Sequence, residues 1–87
     1  MLSETVDLRF GVIRATGHLT AQGADLLRGT ADSLRGSGHT RVVLDLGGVR
    51  AADDDGLDVL RALRDSFAED GGELVVQHLA RLTAEPV

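Results

Sequence analysis

Between Arg41 and Phe67 the hydrophobic period of the chain changes once, and that change limits what the chain can fold into. "RVVLDL", Arg41 to Leu46, is a short β-rich run of the kind found in covered central strands. Beyond "GGVRAADDDG", Leu57, Leu60, Leu63 and Phe67 recur at helical spacing, with Val59 at the margin of the stripe. That helix starts in the aspartates and runs to about Glu69, where Asp70-Gly71-Gly72 ends it. "ELVVQH", Glu73 to His78, then reads as another strand. A strand, a helix and a strand in this order form a βαβ unit.

The same switch occurs upstream. Thr5 to Phe10 alternates, with Val6, Leu8 and Phe10 on one face of a first strand. Gly11 marks a turn, and Val12 to Thr16 offers a second strand ended by Gly17. Thr20 is a suitable N-cap for a helix to about Arg35. Ala24, Leu27, Ala31 and Leu34 form its stripe, which Leu26 would widen. "GSGH", Gly36 to His39, stops it. The order is ββαβαβ. Strands joined through helices should be parallel with right-handed crossovers, and successive crossovers in one direction place both helices on one face. The prediction is an α/β fold: a mixed four-stranded sheet with two main helices on one side.

The chain has 87 residues, one domain over 1–87 with its core over about 5–79 and a tail at 80–87. A domain this small buries only about 60–65% of its unfolded surface, which leaves little room for a substrate cavity. Cysteine is absent, so there is no disulfide, thiol nucleophile or Cys-based zinc site. The net charge of −5 opposes nucleic acid, and two Phe without Tyr or Trp make no base-stacking platform. Every basic residue is Arg, which excludes a P-loop lysine, a Schiff-base lysine and the lysine of a phospho-receiver. "MLSETVDLRF" lacks the features of a signal peptide, and no apolar run nears the roughly 18 residues of a membrane span. A cytoplasmic protein without membrane insertion is expected.

Three consecutive aspartates, Asp53 to Asp55, are the unusual feature. As a calcium loop they fail: Ala51 and Ala62 stand where the first and the bidentate ligands belong. A receiver pocket would need the missing lysine. Paired glycosidase carboxylates would have to flank a groove, with one in an apolar pocket, which neighbouring acids at a helix start do not suggest. One aspartate can cap the helix and the others lie near its positive end, each worth about 0.3–1 kcal/mol before mutual repulsion. Capping alone explains one or two acids better than three, so capping alone and capping with a recognition role both stand. "GSGHTR" lies between a helix and a strand, the reverse of a dinucleotide-binding context. His18, His39 and His78 have no metal-ligand spacing, and no serine sits in a nucleophile elbow. No catalytic residue, metal or cofactor is expected.

"LDLGGVRAADDDGL" resembles the signature of the STAS domain, the family of bacterial anti-sigma factor antagonists: a strand ending in Asp-Leu, then Val, then Asp-Ser-Ser/Thr-Gly-Leu. Asp45, Leu46, Gly48, Val49, Asp53, Gly56 and Leu57 match in register. Gly17-His18-Leu19 is similar to the family's Gly-x-Leu before the first helix, and Gly71 to Val75 to its Gly-Gly-x-Leu-Val strand. The resemblance covers residues 5 to 79. It implies a non-catalytic interaction module of anti-sigma factor antagonist type, acting in sigma-factor partner switching. Its partner would be an anti-sigma factor that is also a serine-kinase-like ATPase. The alternative is a structural STAS subunit of a membrane transport or multi-protein assembly. The implied partner face is Asp53, Asp54, Asp55, Gly56 and Leu57, aided by His18 and Thr20.

Two departures qualify the resemblance. The family's phosphorylatable serine corresponds to Asp54, so this chain carries fixed charge where relatives charge reversibly. Relatives also continue with a further helix after the last strand, whereas only Leu79 to Val87 remain here. The family's C-terminal helix is thus expected to be shortened or missing. One of Val75 and Val76 would then lack cover near the fourth strand, and self-association as a homodimer is expected.

Overall fold

The structure, a computed structural model, describes residues 2–78. Its elements follow the predicted order: β1 (Leu2–Asp7), β2 (Val12–Leu19), α1 (Ala21–Gly36), β3 (Arg41–Ala52), α2 (Asp54–Glu69) and β4 (Glu73–Gln77). The strands lie side by side as β1-β2-β3-β4, with β1 antiparallel to β2 and the other pairs parallel. Both helices cover one face, where Ile13, Ala15 and Leu19 of β2 and Val42, Leu44 and Leu46 of β3 meet the helical stripes. All four residues of each predicted stripe are buried, Ala24 to Leu34 on α1 and Leu57 to Phe67 on α2. A Leu or Phe buried this deeply contributes about 1.5–3 kcal/mol relative to exposure. Arg35 ties the two helices together. Its guanidinium pairs with Asp32 on its own helix and with Asp70 beyond α2, and lies 4.4 Å from the centre of the Phe67 ring.

Several elements differ from the expectation for identifiable reasons. β1 ends at Asp7, whose carboxylate accepts hydrogen bonds from the backbone N–H groups of Arg9 at 3.0 Å and Phe10 at 3.3 Å. This local turn, completed by Gly11 at φ +66°, overrides the alternation beyond Asp7. Leu8 and Phe10 therefore lie in the turn, 70% and 67% exposed, and do not share a strand face with Val6. Leu26 is 61% exposed while Leu27 is buried, because adjacent helix positions face different ways and only one can join the stripe.

β2 does not stop at Gly17 but continues through it, at φ +102°, to Leu19. β3 is 12 residues long and extends well past Leu46, reaching Ala52. Among the described residues it is covered on one face only, with Val43 and Asp45 half-buried on the other. At the β4 edge, Val76 packs against the core while Val75 faces the open side, half-buried. The large exposed apolar side chains Val6 and Leu26 lie instead on β1 and α1, with Leu8 and Phe10 in the β1–β2 turn. Among the described residues, exposed large apolar side chains are thus found near β1. The expectation of a shortened C-terminal helix concerns residues 79–87 and lies outside the described residues.

Candidate partner-binding site

Parallel strands deliver their following loops to one end of a sheet, and here β2 and β3 bring the Gly17–Thr20 and Asp53–Leu57 segments together. The register pairs His18 with Ala51 and Leu19 with Ala52, and the Asp53 N–H donates to the Leu19 carbonyl at 3.0 Å. The two helices then begin with the same device. Thr20 is the N-cap of α1, its hydroxyl accepting from the Gly23 N–H at 3.2 Å. Asp53 is the N-cap of α2, its carboxylate accepting from the Gly56 N–H at 2.7 Å.

Gly56 is buried because the start of α2 presses on the turn before α1. A Cβ there would lie 2.8 Å from the Leu19 carbonyl oxygen and 3.1 Å from that of Thr20. A side chain at this point would force the two loops apart. The glycine of the aspartate motif therefore sets the distance between the loops.

These contacts divide the expected site residues. Gly56 and Leu57 are buried, Leu57 only 8% exposed, so they shape the site from beneath. Asp53 and Thr20 reach the surface, but their side-chain oxygens serve as caps. Asp54, Asp55 and His18 are exposed, and none of their side chains makes a hydrogen bond or ion pair among the described residues. Asp58, one turn on, is held by Arg61 at 3.2 Å. The structure brings the predicted residues to one end of the sheet and leaves two free carboxylates and an imidazole projecting from it.

One prediction follows from this division. Asp53→Ala should destabilise the domain by about 1 kcal/mol through loss of the cap, whereas Asp53→Asn, which keeps an acceptor oxygen, should be nearly tolerated. Urea unfolding of the two variants against the unsubstituted protein measures the difference. Equal losses for Ala and Asn would mean that charge, not capping, is what Asp53 contributes.

The sequence reading missed Arg50, which stands next to these loops on the open side of β3. It was hidden in "GGVRA", where alternation is broken and no periodic signal places a side chain. Among the described residues no group of three His, Cys, Asp or Glu side chains gathers as metal ligands would.

Comparison with known proteins agrees with this geometry. The family described as "Mlab, STAS domain" matches residues 4–87. A crystal structure of Mglu superposes with a TM-score of 0.70 at 24% sequence identity over 82% of this chain, which spans only 18% of that longer chain. The anti-sigma factor antagonist SpoIIAA in its unphosphorylated form superposes with a TM-score of 0.63 at 10% identity, covering 87% of this chain and 71% of its own. At such identities both structures speak for the fold alone. No curated protein matches the chain. Matched over nearly its whole length and folded like an anti-sigma factor antagonist, the chain belongs to the STAS domain family.

Proposed function

We propose that the protein is a non-catalytic interaction module of anti-sigma factor antagonist type, working in cytoplasmic partner switching and not switchable by serine phosphorylation at the usual place. One observation carries this reading: Asp53 alone caps α2, so Asp54 and Asp55 are left exposed and unpaired among the described residues. Favourable contact with the helix dipole is worth about 0.3–1 kcal/mol for each, and repulsion between neighbouring carboxylates offsets part of it. Folding gains little from them. A partner surface feels them more, because complementary charge steers encounter and like charge rejects a partner. His18 stands on the neighbouring loop and completes the exposed set.

The partner of this reading is an anti-sigma factor with serine-kinase activity. By resemblance, Asp54 stands where relatives carry the phosphorylated serine. An aspartate holds one negative charge on a planar pair of oxygens, against about −1.5 to −2 on the three free oxygens of phosphoserine. Asp54 and Asp55 together supply two charges over a wider area, which favours a permanently released state towards the kinase.

Asp54→Ser is therefore expected to strengthen binding to such a kinase by about tenfold, equivalent to roughly 1.4 kcal/mol of relieved repulsion. Titration calorimetry at two salt concentrations measures it. Weaker binding by Asp54→Ser would mean that the aspartates attract a different, basic partner.

A second reading has its own support. A site that cannot be phosphorylated suits a permanent structural subunit of a membrane transport or multi-protein assembly. The exposed Val6, Leu8, Phe10 and Leu26 offer such an assembly, or a second copy of the chain, an apolar contact. No helix among the described residues is long and apolar enough to cross a membrane itself. Purification from the native cell separates the readings: a kinase-like ATPase supports the first, transporter subunits the second.

A further inference from the structure

The pairing of β2 with β3 is interrupted twice within a few residues. Arg14 opposes Asp45 but Thr16 opposes Gly48, and Gly17 opposes Val49 but His18 opposes Ala51. In each interval β3 carries one residue more than β2, and in the second interval the extra residue is Arg50. Bulges are uncommon between parallel strands, and where they occur they bend the strand and re-aim a side chain. The first is held by Asp45, whose carboxylate accepts from the Gly47 N–H at 2.8 Å. A Cβ at Gly48 would lie 2.5 Å from Thr16 Cγ2 and 3.2 Å from the Ala15 carbonyl oxygen, so a side chain there would have to displace Thr16.

The outcome is an open recess of about 450 Å³ on the sheet face away from the helices, lined by Thr16, Gly17, His18, Gly48 and Arg50. Gly17 and Gly48 give it a floor without side chains. Its polar side chains are a guanidinium, an imidazole and a hydroxyl, all able to donate hydrogen bonds, and among the described residues no carboxylate lines it. The nearby Asp45 already faces Arg14 at 3.8 Å and His78 at 3.5 Å.

Arg50 stands apart from most of the arginines. Arg14, Arg28, Arg35, Arg41 and Arg61 each meet a carboxylate, as expected in a chain with 14 acidic residues, whereas Arg50 meets none among the described residues. Arg9, in the β1–β2 turn beside the Phe10 ring, and Arg64, on the regular α2 helix, also meet none, but neither lines the recess. Among the described residues, only Arg50 combines a free guanidinium with a bulge that places it over a glycine floor.

We infer that this recess is a binding site for a small oxyanion, the phosphate or carboxylate group of a small-molecule ligand, with Arg50 as its principal contact. The guanidinium offers a planar pair of N–H donors that matches either group, and Thr16 and His18 supply donors from the facing strand. Its volume lies within the range of small-ligand sites. The inference does not depend on the partner proposed for the aspartates. Those extend from the start of α2, whereas the recess opens on the sheet face away from the helices, and the two sites share only His18.

Amide NMR titrations with inorganic phosphate and, separately, with acetate, at constant ionic strength, test it. Saturable shifts confined to the amides of residues 16–18 and 48–50 are expected with at least one of the two anions. Arg50→Gln should weaken that binding by roughly tenfold, as loss of a charge-assisted contact implies, and Arg64→Gln should leave it unchanged. Saturation by phosphate alone assigns a phosphoryl ligand, and saturation by acetate a carboxylate. Shifts that never saturate, that spread over all the arginines, or that persist in Arg50→Gln would overturn the assignment.

Discussion

Leu60→Ala is expected to cost about 2–5 kcal/mol of folding stability, the range for a fully buried leucine truncated to alanine. Leu60 is 1% exposed and lies in the middle of the α2 stripe, facing the sheet. The surrounding sheet and helices cannot easily collapse into the space, because Leu57, Leu63 and Phe67 are themselves buried on the same stripe. A domain of this length has a total stability on the order of 4–13 kcal/mol, so one truncation removes a large share of it. Leu26→Ala is the internal control. That side chain is 61% exposed, and its loss should change stability by no more than about 0.5 kcal/mol. Urea midpoints for both variants test the assignment of faces. Similar losses for the two would mean that α1 and α2 do not present the stripes described.

Gly56→Ala is the second substitution with a large expected effect, and here two forces compete. Alanine is favoured over glycine inside a helix by about 0.8–1.0 kcal/mol. Against that, the new Cβ would lie 2.8 Å from the Leu19 carbonyl oxygen and 3.0 Å from the Thr20 carbonyl carbon. Both are backbone atoms of the preceding turn, so no side chain can rotate away. Either α2 shifts outward or the Asp53 N–H to Leu19 carbonyl bond breaks, and overpacking of this kind costs about 1–3 kcal/mol. A net loss of stability is expected, together with altered amide shifts at Leu19, Thr20 and Asp53. Gly29→Ala, also within a helix, would meet nothing within 4 Å and should stabilise instead. A stabilised Gly56→Ala protein would show that the two loops are farther apart than described.

The helical stripes were legible in the sequence because apolar residues at three- and four-residue spacing have one way to be buried together. Ala24, Leu27, Ala31 and Leu34, and Leu57 to Phe67, are all in the core. The three-aspartate cluster left open which residue caps. The structure selects Asp53, whose carboxylate lies three residues before the N–H of Gly56, just as Thr20 lies three before Gly23.

Two features escaped the pattern. The alternation of Val6, Leu8 and Phe10 continues past the point where Asp7 folds the chain back on itself, and a local hydrogen bond defeated a period of two. The two bulges in β3 were invisible for the opposite reason. "LGGVRA" has no period at all, and only pairing with β2 shows that two of its residues have no counterpart. Arg50, and the recess it lines, could be found only from that register.

The division of labour among the three aspartates is tested most directly by measuring stability and partner affinity in parallel on Asp53→Ala, Asp54→Ala and Asp55→Ala, with an anti-sigma-factor serine kinase as the partner. Asp53→Ala should lose about 1 kcal/mol of stability, while Asp54→Ala and Asp55→Ala stay within about 0.5 kcal/mol of the unsubstituted protein. Affinity should follow the opposite order, changing most at Asp54 and Asp55. Equal destabilisation by all three substitutions, with affinity unmoved at Asp54 and Asp55, would contradict a recognition role and reduce the cluster to a helix cap.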